Sequence, residues 1–446
     1  MRRIKLLSVV SILLAAVLSN SCKKSSTTET TTTPPGPGEY VGSVVVYSKA
    51  DTVLPYFLKN KYVRITGALE LYTSDDIDYG KYLENLRSVT GSVRLYKIRN
   101  TDLSFLSKIT KITGDLQISA CPGLTSLAGL SQLDTLSNNL IIENNPKITN
   151  LNGLGLIQTL AGLTVTNNAT LLSLAGLNNI TSINSISIGE NPSLTSLNGL
   201  SNLTSVTLNV VLFNNAIQSS LEGLNGLKNI DGNLSLSGLA ELSRITALSG
   251  LNDTISSILI SGCNKLTNMG GLYNLPHIKK DLRIVNCSNF VNLSGLTKID
   301  TIAGTIELDH LDSFTSFEGM TALKGIKKDL RIVECSALNS LNGLKTLDRI
   351  NGDLIIDGNL KMVNLKGADA LKLVKGNVQI LNNDLLLSLD GLEPLKTISG
   401  NIDIYYNSKL ANYCALKPDV FSGIAYIGFN AYSPSWAQIK AGSCSK

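Results

Sequence analysis

Residues 376–398 read Gly-Asn-Val-Gln-Ile-Leu-Asn-Asn-Asp-Leu-Leu-Leu-Ser-Leu-Asp-Gly-Leu-Glu-Pro-Leu-Lys-Thr-Ile, and the spacing of their apolar residues decides the fold. Val378 and Ile380 alternate with polar neighbours, the mark of a short strand with one inward side. After Asn383, the residues Leu386, Leu389, Leu392, Leu395 and Ile398 follow three apart. On an α-helix each step of three falls about 60° short of a turn, so such a row drifts around the axis instead of sharing a face. A single straight strand needs period two. What remains is a chain of short strands, tight turns and 3₁₀-like corners that aims every third side chain inward.

The block recurs. Gly114-Asp-Leu-Gln-Ile118, Gly304-Thr-Ile-Glu-Leu308, Gly352-Asp-Leu-Ile-Ile356 and Gly400-Asn-Ile-Asp-Ile404 repeat its opening, and coil starts run from residue 67 to residue 423 at a period near 24. Self-similarity at this period predicts an all-β parallel β-solenoid of about 16 coils, capped at both ends. Copies of one position then lie ~4.8 Å apart in a rod on the order of 75 Å long. One coil alone has too little core to hold together, so the leucine ladder serves stability.

A polar position repeats at the turn: Asn145, Asn168, Asn191, Asn359, Asn383 and Asn407. Buried at a bend, an Asn amide can satisfy backbone groups of its own coil and the next. Cys121, Cys263, Cys287 and Cys335 hold the same position and, being small and partly apolar, tolerate burial there. Cys263 and Cys287, one coil apart, are expected as stacked free thiols, with a bridge as the alternative. Ala216, Leu239 and Leu311 interrupt the ladder, and bulges are expected in those coils.

The pattern L-x-x-I-x-G-x-L-x-I-x-x-N over residues 67 to about 430 resembles the leucine-rich and receptor L-domain families. The resemblance implies a right-handed solenoid and a cell-surface role in binding or adhesion, without catalysis in this part of the chain.

The ends differ in composition. Residues 1–21 pair a basic start with an apolar run too short to span a bilayer, and Cys22 follows. The stretch resembles a bacterial lipoprotein leader of the Bacteroidetes type, although the residue three before Cys22 is Ser19 and not the usual Leu. It implies acylation at Cys22 and a lipid-anchored place in the outer membrane; the alternative is a conventional leader with a free cysteine. Residues 22–39, rich in Thr, Ser, Lys and Pro, read as a flexible tether. Residues 40–66 read as an N-terminal cap, an edge strand and then a short helix starting near Asp51. The regular solenoid is assigned to 67–413, and 414–446 to a final coil and C-terminal cap, with Ile424 and Ile427 as its inward pair. Cys414 and Cys444 bracket that cap and are expected to pair, as disulfides persist in exported chains.

Chemistry is scarce. The 446 residues are 43% apolar, 16% charged and 5% aromatic, which excludes a wholly disordered chain. The balance of 39 − 34 = +5 falls to +2 without Arg2, Arg3 and Lys5, leaving no net-charge case for nucleic acid. His277 and His310 read as surface residues without a nucleophile or metal-ligand spacing. Asp75-Asp76-Ile-Asp78-Tyr-Gly80 resembles a calcium loop only loosely, with Arg87 at the place of the closing Glu. The outward series Arg283, Glu307, Arg331, Ile355, Gln379, Asp403 reads as a solvated charge ladder, not the carboxylate pair of a polysaccharide-cleaving solenoid. No cofactor is expected. The expected function is a non-catalytic, monomeric scaffold binding an extracellular protein or glycan, with Tyr405 and Tyr406 as contacts; the alternatives are a structural envelope protein without a specific ligand and, ranked below it, a polysaccharide-active β-solenoid enzyme.

Overall fold

Each coil begins with a strand whose alternate side chains turn inward, and the strands of successive coils pair side by side. The computed structural model describes residues 38–446 apart from 218, 418, 420 and 422. Val378 and Ile380 are fully buried and Gln379 faces out; the strand Val378–Leu381 pairs in parallel with Leu354–Asp357 before it and Ile402–Tyr405 after it. The same parallel pairing continues from Val44–Val46 through Leu69–Leu71 to Ala425–Gly428. This is the all-β parallel solenoid of about 16 turns that the period near 24 predicts.

A second, shorter ladder runs along another side of the coil. Glu39–Tyr40, Arg64–Ile65, Ser88–Val89, Lys111–Ile112 and Thr135–Leu136 pair in one stretch of it. Thr301–Ile302, Gly325–Ile326, Arg349–Ile350, Leu373–Val374 and Thr397–Ile398 form another. In two middle coils the corner straightens, so that Thr159–Thr166 and Ser182–Gly189 each run as one strand.

Between the ladders the three-residue rule holds. Leu386, Leu389, Leu392, Leu395 and Ile398 are all buried, the leucines next to turns and Ile398 in the short ladder. The turns need glycine at one place: Gly391 has φ +111°, and a Cβ there would sit 2.1 Å from the Leu365 carbonyl oxygen one coil back. Short 3₁₀ turns occur at Ser104–Leu106, Ala128–Leu130 and Thr246–Leu248.

The ends depart from the sequence reading in detail. Residues 40–66 do hold an edge strand and an eight-residue helix, Val53–Asn60, which buries Leu54 and Phe57. Yet the segment is itself a coil, because Glu39–Tyr40 and Val44–Val46 pair in both ladders; pairing begins one coil before residue 67. Its register was hidden because the helix replaces the leucine turns. At the other end, Ala425 and Ile427 stand opposite Ile402 and Ile404, so Ala425 takes the inward place assigned to Ile424. Ile424 is 57% exposed. The helix Trp436–Lys440 starts with a reciprocal Ser435–Gln438 capping box. The ring of Trp436 meets Phe421 edge-on at 5.1 Å, and the Tyr413 hydroxyl donates to the Tyr432 carbonyl at 2.6 Å. Cys414 and Cys444 form a disulfide, 30 residues apart in the chain.

Among the described residues, the long-sheet strands of the coils expected to bulge show no bulge, and Ile306–Asp309 pairs in register with Leu282–Val285 and Leu330–Val333. Val210–Phe213, Asn233–Ser237, Ser257–Ser261 and Leu282–Val285 pair in unbroken register. Ala216 was placed one residue late, for Asn215 occupies the ladder position and accepts from the Asn191 amide at 3.2 Å. Leu239 and Leu311 fill the same site as buried apolar residues, keeping the loop length and losing only the amide.

Candidate functional site

From Val93–Tyr96 onward, the chain leaves each long-sheet strand through a residue in the left-handed conformation, followed by the ladder residue. Asn382 at φ 55° precedes Asn383, Asn167 at φ 56° precedes Asn168, and His310 at φ 53° precedes Leu311. Asn383 shows why amides suit the corner. Its Nδ2 donates to the Leu381 carbonyl of its own coil at 2.8 Å and to the Ile356 carbonyl of the coil before at 3.1 Å, while Oδ1 accepts the Asn359 amide at 3.0 Å. Asn145, Asn168, Asn191, Asn359 and Asn407 repeat this arrangement, and Asn430, unnoticed in the sequence, continues it by accepting from Asn407 at 2.9 Å. Its signal was the step of 23 from Asn407.

The thiols at this position are buried and free. Burial pushes Cys263 and Cys335 up to about 12 and Cys121 and Cys287 up to about 11, so all four stay protonated at neutral pH. Cys335 donates weakly to the Leu308 and Val333 carbonyls in place of an Asn amide. These are packing groups, not nucleophiles.

Two outward columns line the exposed face of the long sheet. The middle column carries the charge ladder: Glu307 pairs with Arg283 at 2.5 Å and with Arg331 at 3.7 Å, Arg94 pairs with Glu70, and Gln379 donates to Asp403 at 3.1 Å. The series predicted from the sequence is thus brought together, each carboxylate meeting a donor from a neighbouring coil. His310 sits at the corner beside it, Nδ1 2.6 Å from Asp309 and Nε2 2.8 Å from Glu334. Partial burial lowers its pKa, but the Asp309 hydrogen bond and the charges of Asp309, Glu334 and Asp312 outweigh this and hold it above the usual range. No group of three or more His, Cys, Asp or Glu positioned to hold a metal occurs among the described residues. In the Asp75–Gly80 segment, Asp75 accepts the Lys49 amide at 2.8 Å and Asp78 lies 3.9 Å from Lys81.

The second outward column is aromatic at both ends. Tyr47 stacks on Tyr72 at 5.7 Å, and Tyr72 meets Tyr96 at 6.2 Å. Lys97 lies 5.0 Å over the Tyr96 ring. At the other end Tyr406 and Phe429 stack at 5.0 Å with their planes 10° apart, and Tyr405 leans against both. Phe429 is 71% exposed and Tyr406 54%, whereas Tyr405 is half-buried over Gly428. Tyr406 and Phe429 are both corner residues with positive φ, which turns their rings outward. Tyr405 and Tyr406 were legible as outward; Phe429 and the Tyr47, Tyr72, Tyr96 set were missed, though their steps match the repeat.

No protein-family model and no curated protein matches the chain. Among solved structures it is similar to the functional domain of InlJ from Listeria monocytogenes, which includes a cysteine ladder, at 16% identity and TM-score 0.28, covering 74% of this chain and 71% of that one. It is also similar to a leucine-rich-repeat protein of Leptospira interrogans, at 15% identity and TM-score 0.30, over 82% and 95% of the two chains. A third likeness is to TLR13 in complex with ssRNA13, at 17% identity and TM-score 0.29, over 83% and 66%. At TM-scores this low, the likenesses carry no argument about function.

Proposed function

We propose that the chain is a non-catalytic binding or adhesion scaffold, anchored by an acylated Cys22 at a bacterial outer membrane and facing outward, which presents its long sheet to an extracellular protein or glycan. The observation that carries this reading is the aromatic group Tyr405, Tyr406 and Phe429. A large ring held in water by a paired backbone forgoes the burial that the core offers its inward residues. Such rings, clustered and rimmed by polar residues, mark interaction sites. Tyr426, 44% exposed, and Ile424 extend the patch across the last coil. The Tyr47, Tyr72, Tyr96 stack offers a second aromatic surface at the opposite end of the same column.

The test is a glycan and protein array probed with the full mature chain and with Y406A/F429A. The double variant removes two exposed rings and no core contact, so it should fold normally and lose at least about tenfold in affinity for at least one protein or neutral glycan that the wild type captures. An array on which wild type captures nothing, or on which both proteins bind alike, overturns this reading in favour of a structural envelope component.

A further inference from the structure

Away from the aromatic face, one segment repeats without a change: Ile278-Lys-Lys-Asp-Leu-Arg-Ile-Val285 recurs as Ile326-Lys-Lys-Asp-Leu-Arg-Ile-Val333. The interval is 326 − 278 = 48 residues, two coils, and the register confirms it, since Ile278 pairs with Ile302 and Ile302 with Ile326. A two-coil period is thus laid over the one-coil period. Its consequence on the short ladder is a row of lysines on alternate coils. Lys279 and Lys280 sit on one coil, Ala303 and Gly304 on the next, Lys327 and Lys328 on the third, Asn351 and Gly352 on the fourth, and Lys375 on the fifth. All five lysines are exposed, and among the described residues none has an ion-pair partner. The backbone beneath them is locked: the Lys328 amide donates to the Gly304 carbonyl, and the Gly352 amide to the Lys328 carbonyl at 2.9 Å.

The acids nearby are tied to groups other than these lysines, and those bound to backbone amides keep their charge. Asp281, Asp329 and Asp353 each accept a backbone amide of the following coil, from Thr305, Asp353 and Asn377. Asp300 faces His277 at 3.1 Å, and Asp348 is held by Arg349 at 2.8 Å. In the adjoining column Lys324 and Lys372 add positive charge around Asp348, and Lys396 follows one coil on.

We infer that these lysines form a comb that docks a linear anionic polysaccharide carrying one charge on every second sugar. Teeth on alternate coils recur every ~10 Å along a straight line. That is about one Debye length at physiological salt, so the teeth repel each other little while each attracts an anion. A nucleic acid fits less well: its phosphates are more closely spaced, and a single strand needs aromatic platforms, of which these columns contain none. An anionic membrane surface would attract the same lysines by charge alone, with no part for their ~10 Å spacing. The inference goes beyond the aromatic patch and uses a different side of the coil.

Surface plasmon resonance on the full mature chain tests it with hyaluronan oligosaccharides, which carry a carboxylate on every second sugar. Polygalacturonate, charged on every sugar, neutral dextran and single-stranded DNA are the comparisons. Hyaluronan should bind with an affinity that falls as salt rises, and K279Q/K327Q/K375Q should lose about tenfold while melting like wild type. The corresponding triple Lys→Arg variant should keep binding, and Y406A/F429A should bind hyaluronan like wild type. Undiminished binding by the triple Gln variant, no binding by wild type, or a preference for DNA, dextran or polygalacturonate at equal charge concentration overturns the comb. Loss of hyaluronan binding in Y406A/F429A would also overturn it, by moving the site to the aromatic face.

Discussion

Asn383 shows how much one side chain does at the corner of a coil. Its Nδ2 reaches carbonyls of two coils, and its oxygen takes the Asn359 N–H of the earlier one. Replacing it with alanine leaves the buried Asn359 N–H without its partner and removes a donor from the Ile356 and Leu381 carbonyls, a buried unpaired group costing ~1–3 kcal/mol. We expect N383A to destabilise by ~3 kcal/mol in chemical denaturation. N382G, at the exposed left-handed position next to it, should cost little, since glycine accepts positive φ without strain. Equal effects of the two substitutions would show that the ladder contributes no more than a surface turn. Legibility follows the same chemistry. The Asn column could be read because a buried amide has few substitutes, whereas Asn215 was mistaken for Ala216 because consecutive Asn residues, Asn214 and Asn215, blur the register.

The C-terminal cap is the element whose stability rests least on the repeat. Its strand Ala425–Gly428 has a neighbour on one side only, and residues beyond it return to the open core through Tyr432, Trp436 and the buried Ile439. The Tyr413 amide donates to the Cys444 carbonyl at 2.8 Å next to the disulfide, so the staple and the last core layer are coupled. Closing a loop of this length contributes ~2–4 kcal/mol. Coils support only their neighbours, so C414S should raise hydrogen exchange across residues 400–446 and leave the middle coils protected. Unchanged protection there would mean that packing alone holds the cap. That the two cysteines stand outside the repeat was visible in the sequence; that Ala425 and not Ile424 turns inward was not, because strand phase at an end is set by pairing with Ile402 and Ile404.

At the scale of the whole molecule, the solenoid converts a linear sequence into parallel columns, each a surface with its own chemistry. One column is aromatic at both ends, one alternates Arg and Glu, and one alternates lysine with small residues. The anchoring half of the proposal rests on Cys22, which lies outside the described residues. Among those described, no helix is long and apolar enough to cross a membrane. The proposed acylation predicts that metabolic labelling with a fatty acid marks wild-type protein and leaves C22A unlabelled, with C22A released from the membrane fraction. Equal labelling of the two would remove the lipid anchor from the proposal and leave the binding faces untouched.

The sequence by itself determined the coil. Period-two and period-three apolar spacing leaves a single way to bury those side chains, and repetition near every 24 residues leaves a single way to stack them, so fold class, core and the Asn and Cys ladder follow from local rules. Tertiary structure decided which surface residues become neighbours. Phe429 beside Tyr406, Tyr47 stacked on Tyr72 and lysines on alternate coils join residues about one or two coils apart in the chain. Each depends on register, and register is a property of the paired backbone: a shift of one residue turns an outward side chain inward. Composition sees only a small net charge and few aromatics; the stacked coils concentrate both into columns.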